Sequence, residues 1–169
     1  MVARNETLIK WALFAAAAAL VCLVQGALEW LPILGVIPFL YPLLVAALAM
    51  LEGPLPGAVF GLVLGVLCDL TIAVPIPCFY TLVFPLAGLL SALLAQGWLT
   101  ASFPCAAVAS LLSFALTDFF HAAVLALNGN PAWGAAGVVA LTETAVSLPF
   151  LIPVYLLLRA VHRKCHQYD

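Results

Sequence analysis

The stretch EGPLPGAVFGLVLGVLCDL, residues 52–70, decides the fold. Between Glu52 and Asp69 it holds no charged residue, and Gly57, Gly61 and Gly65 recur at every fourth position. Spacing of four lines the glycines along one stripe of an α-helix, where missing side chains let another backbone approach closely. Asp69 continues the same stripe. The pattern predicts a membrane helix over about Gly57–Ala73, whose glycine face packs either within the molecule or against a partner helix.

The rest of the chain has the same character. Of 169 residues, 67% are hydrophobic and 7% charged, where a soluble domain carries roughly a quarter charged residues. Such a composition cannot cover a globule with wetted surface, so residues 1–169 read as a single integral membrane domain, all-α and polytopic. At about 20 residues per crossing, six crossings take roughly 120 positions and leave only tails and short loops. A folded soluble domain is thereby excluded. So is a nucleic-acid surface, because the five Lys and Arg are too few to neutralise a phosphate backbone.

Charge is concentrated at the ends. Arg4, Lys10, Arg159, Arg163 and Lys164 are all the Lys and Arg, and from Trp11 to Leu158 the charged residues are Glu29, Glu52, Asp69, Asp118 and Glu143. By the positive-inside rule both termini are expected in the cytoplasm, with an even number of crossings. The first helix is expected over Leu8–Leu28, its long apolar run leading straight into further membrane-competent sequence as a cleaved signal peptide would not. The second is expected over Ile33–Leu51, with Pro38 and Pro42 producing a kink or a re-entrant start. A cytoplasmic turn at Glu52–Pro56, an outer turn at Pro75 and Pro77, another turn at Gln96–Thr100 and the polar loop Asn128–Gly134 separate the remaining helices. Those helices are expected over Gly57–Ala73, Cys78–Leu94, Phe103–Leu127 and Ala135–Leu158, completing a six-helix bundle with short loops.

On these boundaries Asp69, Asp118 and Glu143 fall at broadly similar depth in the outer half of the bilayer, and His121 shares a helix face with Asp118. An aspartate at a helix centre costs about 2.5 to 3.5 kcal/mol on insertion scales, and no transmembrane Lys or Arg is present to pair with it. Each acid must therefore be protonated, wetted by an outward-open cavity, hydrogen-bonded to neighbours or paired with another chain. Asp69, Asp118, His121 and Glu143 are the candidate partner- or cavity-facing residues. No GxGD surrounds Asp69, and GxSxG, HExxH and a phosphate-binding glycine loop with lysine are absent, so catalysis is not expected. Cys22, Cys68, Cys78, Cys105 and Cys165 show no CxxC or Cys/His spacing, and neither a disulfide, a metal nor a cofactor is expected.

The segment from Glu52 to Leu70 resembles the most recognisable stretch of the rod shape-determining protein MreD family, in which a helix with spaced glycines ends in a Gly-x-x-x-Asp element. The matching positions are Gly53, Gly57, Gly61, Gly65 and Asp69, and the likeness extends more diffusely over residues 33–95, including the helix with Gly88. The outer turn Pro75-Ile76-Pro77 lacks the glycine common in that family, and its cytoplasmic basic residues are missing. The resemblance implies a non-enzymatic component of the cell-elongation machinery in the bacterial inner membrane. Its expected partners are an MreC-like membrane protein and, indirectly, the MreB filament, RodA and a penicillin-binding protein. The layout is also similar to the substrate-binding S-component of an energy-coupling-factor vitamin transporter. On that reading Ala15 and Ala19 would pack on a transmembrane partner, and the acids would line the vitamin pocket.

Overall fold

The computed structural model describes residues 2–30, 32–33, 35–72, 76–97, 102–129 and 133–165, with side chains from Ile9 onward. Its helices are α1 (Val2–Leu28), α2 (Tyr41–Glu52), α3 (Pro54–Thr71), α4 (Phe79–Gly97), α5 (Phe103–Leu127), α6 (Trp133–Ser147) and α7 (Leu151–Cys165). A single 3-10 turn, Leu148–Phe150, links α6 to α7, so the two form one helical span. Among the described residues five spans are long and apolar enough to cross a membrane, and the protein is an all-α, multi-pass membrane protein.

The expected second crossing is only partly helical. It begins at Tyr41 instead of Ile33, because Pro38 supplies no N–H and disfavours helical backbone at the residue before it. Pro42 sits in the first turn of α2, where its missing N–H costs nothing. Ahead of the helix, Ile33 and Val36 exchange two backbone hydrogen bonds of 2.9 and 3.0 Å around Gly35, whose φ is +80°. The expected sixth helix is interrupted for the same kind of reason, with the 3-10 turn centred on Pro149.

With only 12 residues, α2 is nonetheless the centre of the bundle. Every residue from Tyr41 to Met50 is buried, as expected of a helix apolar on all sides. It contacts α3, α4, α5 and α7 most extensively, while α1 rests mainly on α7. Two polar devices set the ends of α2. Where it begins, Gln25 of α1 donates from Nε2 to the Pro38 carbonyl at 2.9 Å and accepts the Leu40 N–H at 2.7 Å. Between these, the Phe39 N–H donates to Ser147 Oγ at 2.9 Å. Three consecutive residues of non-helical backbone thus find side-chain partners from α1 and α6, which is the condition for irregular backbone inside a membrane protein.

At its other end Glu52 pairs with Lys10 of α1 and, at 2.7 Å, with His162 Nδ1 of α7. The Glu52 side chain is 4% exposed, so this clasp is sheltered and holds the start of α1, the end of α2 and the end of α7 together. The start of α1 and the end of α7 therefore lie at the clasp end of the bundle. Glu52→Gln should lower stability by about 2 kcal/mol, because Lys10 would then face a neutral amide in a sheltered site. Arg163→Gln, at an exposed position, should change little. Thermal unfolding of the detergent-purified variants checks both.

Candidate functional site

The glycine stripe has an occupant, and it is α4. A Cβ at Gly61 would lie 2.5 Å from the Phe84 carbonyl oxygen, and one at Gly65 would collide with the Tyr80 carbonyl. A Cβ at Gly57 would run into Ala49 of α2, while one at Gly88 would lie 2.5 Å from the Gly57 carbonyl. Positions 57, 61 and 65 on α3 thus meet 88, 84 and 80 on antiparallel α4, two four-residue spacings in register. Of the two outcomes open to the stripe, packing inside the molecule is the one observed.

Asp69 follows from that register. One turn beyond Gly65 it reaches the start of α4, where the first turn has N–H groups without helical acceptors. Asp69 Oδ1 accepts the Tyr80 N–H at 3.0 Å, and Oδ2 accepts the Thr81 N–H at 2.8 Å and the Thr81 hydroxyl at 2.6 Å. The carboxyl group thereby caps a helix N-terminus from another helix, and the positive end of the α4 dipole compensates it in place of a cation.

The same corner opens into a cavity of about 760 Å³ at the end of the bundle opposite the clasp. Its floor and walls include Gln25 and Glu29 from the end of α1, Phe39 ahead of α2, Thr71 at the end of α3, Tyr80 of α4 and Glu143 of α6. Gln25 is committed to the backbone of residues 38 and 40. Tyr80 is 6% exposed, its ring is tilted against Phe39 at 5.7 Å, and its hydroxyl has no hydrogen-bond partner among the described residues. That hydroxyl lies within electrostatic range of Glu143, Asp69 and Asp118.

The four candidates are therefore placed differently. Glu143 lines the cavity. Asp118 lies near Glu143 and Tyr80 without lining it. His121 sets its ring edge-on to Phe79 at 5.6 Å, and no hydrogen bond or ion pair joins it to Asp118 among the described residues. Asp69 is engaged as a cap. Sequence reasoning missed Glu29 and Tyr80 as cavity groups. It passed over Gln25, whose signal was available as the one amide in the apolar run of α1. Among the described residues no three His, Cys, Asp or Glu side chains converge to hold a metal ion. No family model, curated relative or solved structure matches the chain.

Proposed function

We propose that the chain is a non-enzymatic, six-crossing membrane scaffold of the rod shape-determining MreD type. It resides in a bacterial plasma membrane and holds an MreC-like protein, and through it the elongation synthases, in place. The observation that carries the reading is the α3–α4 lock. Four of the five residues of the resemblance, Gly57, Gly61, Gly65 and Asp69, act in one device, the glycines as close contacts and the aspartate as the cap at its end, while Gly53 lies outside it in the turn between α2 and α3 with φ +98°. On this reading residues 35–40 and α2 together make the remaining crossing, since α2 runs from the level of Gln25 to that of Lys10, about 22 Å along α1. The clasp end, with the basic residues of both chain ends, is then the cytoplasmic one.

Because α4 occupies the glycine stripe, the partner surface lies on another face. The expected result is that an MreC-like single-span protein co-purifies with the tagged chain, and that depletion of the chain rounds rod-shaped cells. A reporter active only outside the cytoplasm should work when fused after Gly129 and be silent at the C-terminus. Loss of neither association nor shape would sink the scaffold reading. The cavity favours a second reading, the S-component of a vitamin transporter. In that case calorimetry would detect vitamin binding, and cell shape would be unaffected.

A further inference from the structure

The cavity presents carboxylates with no internal counter-charge. Glu29 and Glu143 line it, and the segment from Trp11 to Leu158 contains no Lys or Arg to reach them. Of the other polar groups at the wall, Gln25 is spent on the backbone, and the Thr71 hydroxyl donates to the Leu67 carbonyl at 2.9 Å. What remains is the Tyr80 hydroxyl, on a side chain more than nine-tenths buried, without a hydrogen-bond partner among the described residues and within electrostatic range of Glu143. Tyr80 lines the cavity, so a ligand there can supply the hydrogen bond that its hydroxyl lacks among the described residues. Around these groups the walls are apolar and aromatic, with the Phe39 and Tyr80 rings beside Val36, Ile37 and Val139. The volume is within the range of small-molecule sites, roughly 300 to 1,000 Å³.

We propose that this cavity binds a small amphipathic organic cation, its primary ammonium between Glu143 and the Tyr80 hydroxyl and its apolar body against Phe39 and Val139. An ammonium has three donors and no acceptor, which suits a carboxylate, a phenol oxygen and aromatic faces that attract cations. A divalent metal fits less well, since it demands six or more oxygen ligands and the described acids do not converge in threes. Glu29, exposed near the end of α1, draws cations toward the site by its charge. The site goes beyond the scaffold reading and does not depend on it.

The test uses the full chain purified in detergent, with phenethylamine, phenethyl alcohol and phenylpropionate as probes in calorimetric titrations. Phenethylamine should bind saturably, and at least about tenfold more tightly than the matched alcohol, the difference a charge-assisted hydrogen bond makes. Phenylpropionate should not bind. Glu143→Gln should weaken the amine about tenfold or more, and Tyr80→Phe several-fold, with thermal unfolding measured alongside to show that both variants fold. Repeating the titration in nanodiscs with and without phosphatidylethanolamine separates two sources of the ammonium. Competition assigns it to a lipid headgroup, and its absence to a soluble amine. The proposal is overturned if the alcohol binds as well as the amine, if no saturable amine binding occurs, or if a folded Glu143→Gln protein binds the amine like wild type. The comparison of amine with alcohol on the unaltered chain keeps the test valid should a variant misfold.

Discussion

Gly61→Leu should separate α3 from α4 and cost about 3 kcal/mol or more, at the upper end of overpacking effects. Any Cβ at this position lies 2.5 Å from the Phe84 carbonyl oxygen and 2.8 Å from its carbon, and a backbone cannot rotate away as a side chain could. The helices must move apart, which also draws Asp69 from the first turn of α4 and exposes the Tyr80 and Thr81 N–H groups. Both effects add in one variant. Val63→Leu is the matched control, because Val63 is 55% exposed on the face away from α4 and should change stability by about 0.5 kcal/mol at most. Thermal unfolding and size-exclusion profiles in detergent decide the matter. Equal behaviour of the two variants would show that the stripe makes no special contact.

That contact was half legible from sequence. Periodicity of four shows that Gly57, Gly61 and Gly65 share a face, but the partner depends on the register of a second helix, and α4 shows no comparable glycine run. Its matching positions are Tyr80, Phe84 and Gly88, of which the first two contribute backbone and not small side chains. For the same reason the cap made by Asp69 could not be read beforehand. A carboxylate with no cation nearby leaves protonation, a wetted cavity, neighbouring hydrogen bonds or another chain open, and a helix N-terminus brought up by the glycine contact satisfies it internally.

Helix boundaries were most legible where both ends carry local signals. The expected and observed limits of α5 coincide at Phe103–Leu127, between Ser102 with Pro104 and the Asn128-Gly129 turn. They were least legible where a helix stops because distant side chains take over its hydrogen bonds, as at residues 38–40. The acids illustrate a further limit. Spacing predicts a similar depth for Asp69, Asp118 and Glu143, and all three lie within electrostatic range of Tyr80. Which of them faces open space depends on helix rotation, and that places Glu143 in the cavity wall, Asp118 outside it and His121 against Phe79. The Lys10–Glu52–His162 clasp joins positions 110 residues apart in sequence, and composition alone gives no hint of it.

Gln25→Leu should be the second most damaging substitution, through two orphaned backbone groups and not through lost volume. The replacement suits a membrane helix, but it leaves the Pro38 carbonyl and the Leu40 N–H without partners beside a residue that is 3% exposed. Each unsatisfied buried group costs about 1 to 3 kcal/mol, so the expected loss from the two is roughly 2 to 6 kcal/mol. Gln25→Glu can keep both bonds only as the protonated acid, whose hydroxyl donates to the Pro38 carbonyl while its other oxygen accepts the Leu40 N–H, so its loss should be smaller than that of Gln25→Leu at low pH and grow as pH rises. Ser147→Ala orphans only the Phe39 N–H and should cost about 1 to 2 kcal/mol. Because Phe39 lies between the residues held by Gln25, the double variant should lose less than the sum of the single effects, as neighbours in one network do. Thermal unfolding ranks the variants, and hydrogen exchange at the Leu40 amide reports the mechanism directly. In Gln25→Leu that amide should exchange faster while amides within α5 keep their protection. Wild-type stability together with a protected Leu40 amide would show that the break before α2 is satisfied some other way.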